Sequence, residues 1–170
     1  SFLWRFHQIH HSAEVLTPLT LYRNHPLEQV IQAIRGILVI GVVGGLFAWL
    51  SFGKATTAQL YGVPAIILVL NVLGANLRHS HNWLPYPRWL ERVLISPAQH
   101  QLHHGRRFDE NRVNYGAFLG VWDWVGGTLR HSDGPRTERF GLPQSECLHR
   151  PHSLLSALFD PFWRRKPPKS

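Results

Sequence analysis

Two apolar runs without charged residues constrain the fold of this chain most strongly. They cover residues 36–52 and 55–77, and only Gly53 and Lys54 separate them. As α-helices rising about 1.5 Å per residue they would extend roughly 25 and 34 Å, close to the ~30 Å hydrocarbon thickness of a bilayer. Residues 31–34 lengthen the first run. The pattern predicts a transmembrane hairpin over residues 31–78, and it favours this over two buried helices of a soluble protein.

Positive charge is distributed unevenly around these runs. Of the 18 lysines and arginines, only Lys54 lies between the two runs. A hairpin returns the chain to the side from which it came, so the positive-inside rule predicts that both flanks are cytoplasmic. The net charge of +8 then reflects orientation and contact with an anionic membrane surface. We therefore expect an integral membrane protein and no nucleic-acid partner.

The composition also limits the domain organisation. A single cysteine, Cys147, excludes an internal disulfide and a cysteine-rich zinc site. The chain begins at Ser1 and contains no methionine, so we expect an N-terminally incomplete fragment or a processed chain. We predict one all-α domain over residues 1–170, an integral-membrane hairpin with a cytosolic histidine-rich helical cap. Its predicted parts are residues 1–30, the hairpin at 31–78, residues 79–130, and a C-terminal loop with an interfacial helix at 131–170.

Shorter elements follow from local signals. Ser96 as N-cap, Pro97 at the first helical position and Gly105 as a stop predict a helix over residues 96–105. The other expectations are a helix over residues 2–16, a loop between Pro18 and Pro26, an amphipathic stretch at 85–95 and an amphipathic interfacial segment at 153–166.

Histidine is unusually abundant, with 12 residues against 10 acidic ones. The pattern His-x-x-His-His occurs twice, as HQIHH from His7 and as HQLHH from His100, on opposite flanks of the predicted hairpin. Positions i, i+3 and i+4 share one face of a helix, so each motif presents three imidazoles in one direction. A further pair, His79 and His81, follows the second apolar run directly.

Such a cluster predicts a metal centre. Eight neighbouring imidazoles cannot all carry a proton without strong repulsion, and neutral imidazole is a good ligand for iron, zinc, copper and nickel. One zinc ion takes about four ligands, so eight histidines fit two metals, and nitrogen ligands with open positions suit iron and O2. The predicted ligands are His7, His10, His11, His79, His81, His100, His103 and His104, with His25 as an additional or outer-sphere residue. We expect His131, His149 and His152 to be surface residues.

Other functions compete with an enzyme. A metal transporter or a non-catalytic metal-binding membrane protein would also need clustered histidines, but transporters place ionisable ligands inside the membrane spans. The apolar runs here contain none. A structural zinc module is the third alternative. The motif HExxH does not occur, so the general base of a zinc peptidase is missing.

Several stretches together resemble one family. They are LWRFHQIHHS (3–12), YRNHPLE (22–28), ANLRHSHNWLP (75–85), ISPAQHQLHHG (95–105) and NYGAFLGVWDWVGGTL (114–129). The chain resembles the fatty acid hydroxylase/sterol desaturase superfamily of integral-membrane diiron oxygenases. The resemblance implies a cytosolic site for two iron ions that uses O2 to hydroxylate or desaturate a C–H bond of a lipid, fatty acyl or sterol-like. Two features depart from the family: its upstream HRxxH motif is not present in this chain, and Gly126 stands where the family has an aromatic residue.

The resemblance also implies partners. No Rossmann glycine fingerprint or flavin motif occurs, so electrons would come from an external donor such as cytochrome b5 or ferredoxin with its reductase. A lipid substrate would approach laterally from the bilayer. Five aromatic residues are expected either to line that route or to anchor the protein at the interface: Trp4, Phe6, Trp83, Tyr86 and Trp89.

Overall fold

The computed structural model describes residues 2–54, 56–107, 109–143 and 152–163. The described residues form helices and loops without a β-strand, which confirms the all-α expectation. The helices are α1 (Trp4–His11), a 3-10 helix (Pro18–Tyr22), α2 (Pro26–Leu50), α3 (Thr57–Arg78), α4 (Arg88–Glu91), α5 (Pro97–His103), α6 (Val121–Gly126), α7 (Leu154–Phe159) and a 3-10 helix (Asp160–Phe162). The predictions for Cys147 and His149 fall outside the described residues.

The two apolar runs form the long helices α2 and α3. Helix α2 begins at Pro26, five residues before the expected start of the hairpin at residue 31. It begins there because the ring of His25 caps it by accepting a hydrogen bond from the Leu27 N–H at 3.0 Å. A tight turn with positive φ at Phe52 (50°) and Gly53 (73°) then reverses the chain. In the described part of the chain, α2 is the helix that is long and apolar enough to cross a membrane, and its apolar window is 0% buried.

Helix α1 is shorter than the sequence predicts. It ends at His11 rather than near residue 16, because Ser12 donates from both its hydroxyl (2.7 Å) and its N–H (3.3 Å) to the Ile9 carbonyl and closes the last turn. The stretch after Pro18, predicted as a loop, contains a 3-10 helix. Its first turn is closed by Thr20, whose hydroxyl donates to the Thr17 carbonyl at 2.7 Å.

The predicted amphipathic stretch at 85–95 contains only the four-residue helix α4. Pro85 and Pro87 hold the residues before it in extended conformations, which delays the start of the helix. The predicted interfacial segment at 153–166 likewise contains only α7 and the short 3-10 helix, and its last three residues lie outside the described part.

The prediction for α5 is confirmed at its start. Ser96 accepts a hydrogen bond from the Gln99 N–H at 3.0 Å, and the Gln99 side chain accepts one from the Ser96 N–H at 3.0 Å. The helix ends at His103, with His104 as its C-cap. Gly105 does not act as a left-handed stop. It is required for another reason, since a Cβ atom there would collide with the carboxylate of Glu110.

A small set of apolar side chains is fully buried, and Phe6 of α1 packs against His25 and Phe162. The members of this set are Phe6, Ile9, Ala13, Leu16, Ile95, Ala98, Leu102 and Leu142. Phe6 is only 1% exposed, so the expectation that it lines a lipid route or an interface is wrong. Helices α1 and α5 carry the two His-x-x-His-His motifs, and these motifs meet through their rings: His11 lies 4.6 Å from His103 and 4.4 Å from His104 between ring centroids.

Candidate metal centre

Seven of the eight predicted ligands gather in two adjacent groups. The four-histidine group consists of His10, His79, His100 and His104, and the three-histidine group consists of His7, His11 and His103. Within each group, one ring nitrogen per residue lies within 4.8 Å of the others. The two groups are interleaved, since each His-x-x-His-His motif contributes residues to both of them.

The ring nitrogens point at one another. The Nε2 atoms of His79 and His100 lie 2.9 Å apart, those of His100 and His104 lie 3.2 Å apart, and those of His11 and His103 lie 3.1 Å apart. With metal–nitrogen bonds of about 2.1 Å, neighbouring ligands of one metal ion are separated by about 3 Å. The separations in both groups therefore suit nitrogen atoms that share a metal ion.

Four of the grouped rings also carry an unsatisfied nitrogen. In the described structure, the buried Nδ1 atoms of His10, His11, His100 and His104 have no hydrogen-bond partner. Buried polar atoms normally have one, because leaving them unsatisfied costs about 1–3 kcal/mol each. In His11, His100 and His104 the Nε2 atoms are the ones that approach other rings, so the assignment of ligands rests on Nε2 and not on these Nδ1 atoms. An all-imidazole donor set of this kind fits iron and other imidazole-binding metals.

Burial favours the neutral form of six of these imidazoles. It lowers the pKa of His79 to about 4, with further lowering by Arg78 and by other histidines, and it lowers the pKa of His103 to about 4 as well. The pKa values of His10, His11, His100 and His104 are lowered well below the ordinary value, first by burial and then by repulsion from neighbouring histidines. Neutral rings are the form that binds metal.

Outer hydrogen bonds fix the tautomer of three histidines. The Nδ1–H of His7 donates to Glu28 Oε1 at 2.7 Å, and that of His103 donates to the Val113 carbonyl at 2.8 Å. The Nδ1 of His79 lies 3.3 Å from the Thr20 hydroxyl oxygen, whose proton is already donated to the Thr17 carbonyl, so His79 is the donor here. In all three rings the proton is on Nδ1, and Nε2 is left free as the ligand atom.

His25 and His81 are not part of either group. His25 uses both ring nitrogens, since Nδ1 accepts from the Leu27 N–H and Nε2–H donates to the Leu158 carbonyl at 3.1 Å. Its role in the structure is to cap α2 and to hold the C-terminal segment. His81 is exposed, because the chain turns away from the site after Ser80.

The expectations for two further histidines have different outcomes. His152 is exposed as predicted. His131 is not a surface residue, because its ring lies against the buried carboxylate of Glu91, with Nδ1 3.0 Å from Oε2. Glu91 also accepts hydrogen bonds from the Ser96 hydroxyl (2.9 Å) and from the N–H of Ser132 (3.1 Å), so it anchors the start of α5.

A second buried carboxylate organises the loop that holds His103. Asp123 accepts hydrogen bonds from the N–H groups of Tyr115 and Gly116, both at 2.7 Å, and from the Thr128 hydroxyl at 2.6 Å. Asp123 lies in the stretch 114–129 that contributes to the family resemblance, but sequence reasoning did not identify it as a functional residue. The signal for it was a single acidic residue in a run of otherwise uncharged residues.

Asn114 connects this loop to α5. Its backbone is left-handed (φ 52°), and its side chain bridges the loop ends by donating to the Gln99 and Arg130 carbonyls at 3.2 and 3.1 Å and accepting from the Arg130 N–H at 2.8 Å. The residue before it, Val113, supplies the carbonyl that orients His103. The loop therefore positions a histidine of the three-histidine group.

Comparison with known proteins agrees with this geometry. The sequence model of the fatty acid hydroxylase family matches residues 1–128, and the chain belongs to that family. It is 25% identical over 166 residues to an ornithine lipid hydroxylase, OlsE, of Rhizobium tropici, with 96% of this chain and 44% of that protein covered. No solved structure matches the chain.

Other similar proteins are named for different activities. A human alkylglycerol monooxygenase is 28% identical over 130 residues, which cover 75% of this chain and 25% of that protein. A very-long-chain aldehyde decarbonylase, GL1-6, of Oryza sativa subsp. indica is 27% identical over 154 residues, covering 86% of this chain and 22% of that protein. The chain spans less than half the length of these curated relatives.

Proposed function

We propose that the chain carries the metal-binding catalytic part of a membrane lipid hydroxylase. The observation that supports this best is the pair of interleaved histidine groups, which offers enough neutral nitrogen ligands for two iron ions. Family membership and relatives named as a lipid hydroxylase and an alkylglycerol monooxygenase support lipid as the substrate class. The reaction is R–H + O2 + 2 electrons + 2 protons → R–OH + H2O.

The proposed ligands are the seven grouped histidines. His10, His79, His100 and His104 would hold one iron ion, and His7, His11 and His103 would hold the other. His25 and His81 are not included, because His25 has no free ring nitrogen and His81 is exposed. The three-histidine group offers fewer donors, which leaves more open positions there for O2 and substrate.

Iron would supply the activation of O2 that no amino-acid side chain can perform. The residues of the chain hold the ligands in place and exclude water. Glu28, Val113 and Thr20 orient three of the rings through hydrogen bonds, and burial holds the histidines in the neutral form. A fixed and dry ligand set keeps the reaction directed at the bound lipid.

We infer that the metal centre lies beside the membrane, because residues of the site lie at the start of α2 and at the end of α3. Helix α3 ends at Arg78, and the next residue is the proposed ligand His79; helix α2 carries Glu28, the partner of His7, in its first turn. We infer that α2 and α3 form the membrane hairpin, that the histidine side is cytoplasmic, and that an alkyl chain lying along them reaches the metal centre from the bilayer. An external protein such as cytochrome b5 or ferredoxin would deliver the electrons.

Lipid analysis tests the proposal. A host that produces the protein is grown under 18O2, and its lipids are compared with those of a host that produces the His103→Ala variant. Hydroxylation predicts lipids that gain one labelled oxygen atom only with the unaltered protein. If the lipids are desaturated and carry no label, the proposed reaction is wrong and the enzyme is a desaturase. If vesicles show metal flux without O2 consumption, the enzyme assignment is overturned in favour of a transporter.

A further inference from the structure

An apolar surface is exposed on the loop that holds His103. From Val113 to Leu129 the chain contains one charged residue, Asp123. That residue is buried, whereas the apolar side chains around it face outwards: Trp122 is 70% exposed, Trp124 59% and Val125 75%. We call this surface, together with Leu119, Trp89 and Val93, the tryptophan patch.

Asp123 causes this arrangement. Its carboxylate is turned into the protein, where it accepts hydrogen bonds from two backbone N–H groups and one hydroxyl. Because α6 is short, fixing Asp123 inwards turns Trp122 and Trp124 outwards on either side of it. The two indoles are thus held at the surface by a buried hydrogen-bond network.

The other members of the patch are held alongside by backbone contacts. The Gly120 N–H donates to the Val93 carbonyl at 2.9 Å, and Leu119 pairs with Leu94 in an isolated antiparallel bridge. A Cβ atom at Gly120 would lie 2.5 Å from the Glu91 carbonyl, so this close approach requires glycine. Side chains from α4 and from the loop therefore form one surface.

The patch is continuous with the end of α3. The ring of Phe118 lies 5.6 Å from the guanidinium of Arg78 and within 4.0 Å of a Cβ position at Gly74. The Phe118 carbonyl accepts a hydrogen bond from the Ile95 N–H at 2.9 Å, which fixes the loop to the segment before α5. Phe118, next to the patch, thus contacts the last turns of α3, where the apolar sequence ends at Arg78.

We propose that the tryptophan patch inserts into the interfacial layer of the lipid bilayer beside α3. Tryptophan is the side chain that most favours this layer, and exposed apolar patches of this kind mark binding surfaces. Arg92, exposed at the C-cap of α4, supplies positive charge for anionic headgroups, whereas the exposed Arg88 is ion-paired with Asp133 at 3.2 Å. The inference rests on the membrane placement of α2 and α3 in the proposed function.

Quenching of tryptophan fluorescence tests the insertion. The protein is reconstituted into vesicles of phosphatidylcholine and phosphatidylglycerol, with and without bromine atoms near the headgroup end of the acyl chains. The unaltered protein is compared with the double variant Trp122→Phe/Trp124→Phe, which preserves apolar side chains at both exposed positions. The matched control is Trp49→Phe, which removes an exposed indole at the far end of α2.

The fluorescence lost in each variant gives the contribution of the replaced tryptophans. Insertion predicts that brominated lipid reduces the contribution of Trp122 and Trp124 to less than half, while acrylamide in the water quenches it weakly. If Trp49 is quenched by lipid but Trp122 and Trp124 are not, the membrane hairpin holds and the insertion is wrong. If lipid quenches none of the three tryptophans, both the membrane hairpin and the insertion of the patch are wrong. If Trp122 and Trp124 are protected from lipid and from acrylamide, the patch is covered by a protein partner, such as a second copy, and the proposal is overturned.

Discussion

At the scale of single residues, the pair His79 and His81 shows how position decides function. Both residues follow α3, and both are histidines close to an apolar helix. His79 is the C-cap of α3, so its backbone N–H still bonds to the Ala75 carbonyl at 3.0 Å and its ring is directed into the cluster. His81 lies beyond the end of the helix and is exposed, which separates a proposed ligand from a surface residue.

Replacing these two histidines tests the ligand assignment. In His79→Ala the four-histidine group loses one nitrogen donor, so we expect the purified protein to hold about half of the iron that the unaltered protein holds. His81→Ala is the matched control and should retain the full iron content. Metal analysis of both variants checks this, and equal loss in both would contradict the assignment.

Glu28 is the other residue with a defined outer role. Burial raises its pKa, but hydrogen bonds from His7 and Gln32 lower it, and the net pKa is below the ordinary value. It is therefore an ionised acceptor for the His7 ring. Its position in the first turn of α2 adds stabilisation by the helix dipole.

Removing the Glu28 carboxylate should weaken metal binding. We expect Glu28→Ala to lower the metal affinity by about 10- to 100-fold, the usual effect of losing an outer hydrogen bond to a metal-binding histidine. Glu28→Gln retains an acceptor oxygen and should bind nearly as well as the unaltered protein. Metal titration of both variants, with Glu14→Ala at an exposed position as control, measures the effect. An unchanged affinity in Glu28→Ala would show that His7 needs no orienting partner.

At the scale of elements, the site depends on α5 and on the loop after it. The start of α5 could be predicted from Ser96 and Pro97, because capping is a local interaction within four residues. Helix α6 could not be predicted in the same way, since it has no capping side chain and is held by Asp123 through bonds to residues up to eight positions away. The end of α1 and the start of α4, by contrast, depend on local signals, a serine hydroxyl and two prolines, which the sequence prediction did not use.

The same distinction applies to the metal centre. The two His-x-x-His-His motifs predicted which faces of α1 and α5 would carry ligands, because helical spacing is local. Their division into groups of four and three could not be predicted, since it depends on how α1, α3 and α5 pack. The hydrogen bond from His25 to the Leu158 carbonyl was hidden for the same reason, because Leu158 is 133 residues away along the chain.

Loss of Asp123 should destabilise the loop. Asp123→Ala leaves two buried N–H groups and a hydroxyl without an acceptor, so we expect a decrease of about 2–4 kcal/mol in the free energy of unfolding. Denaturant unfolding in detergent measures it. Asp133→Ala, at an exposed acidic residue, is the control and should change the stability by less than about 0.5 kcal/mol. A small effect in Asp123→Ala would contradict the anchoring role.

At the scale of the whole molecule, burial of the histidines makes stability dependent on pH. The pKa values of His79 and His103 are about 4 in the folded protein, below about 6.5 in the unfolded chain. Between these values the unfolded chain binds more protons than the folded protein. Acidification from pH 7 to pH 4 therefore favours unfolding.

We expect the free energy of unfolding of the metal-free protein to fall through this range. Each affected histidine lowers the free energy of unfolding by up to about 1.4 kcal/mol for each unit by which its pKa differs between the folded and the unfolded state. Unfolding measured at a series of pH values checks the prediction, and His103→Asn should reduce the slope because it removes one of these groups. A stability that is constant or rises on acidification would contradict it.

The proposed topology can be tested with cysteine labels. Lys54, in the turn between α2 and α3, and Gly134, in an exposed loop on the histidine side, are replaced singly by cysteine in a Cys147→Ser background. A hairpin with a cytoplasmic cap predicts that an impermeant maleimide labels Lys54→Cys on intact cells and labels Gly134→Cys only after permeabilisation. Labelling of both residues from one side of the membrane would exclude a crossing hairpin.

The neutral ligand set has an electrical consequence for the loaded centre. Both groups consist of histidine alone, so the ligands would bring no negative charge to the two proposed metal ions. Glu28, in contact with the three-histidine group through His7, is a carboxylate that would partly offset the metal charge from outside. Such a centre favours the lower oxidation state of its metals and attracts anions strongly, because Coulomb energies are large where water is excluded. Small anions such as azide are therefore expected to compete with O2 for the open coordination positions.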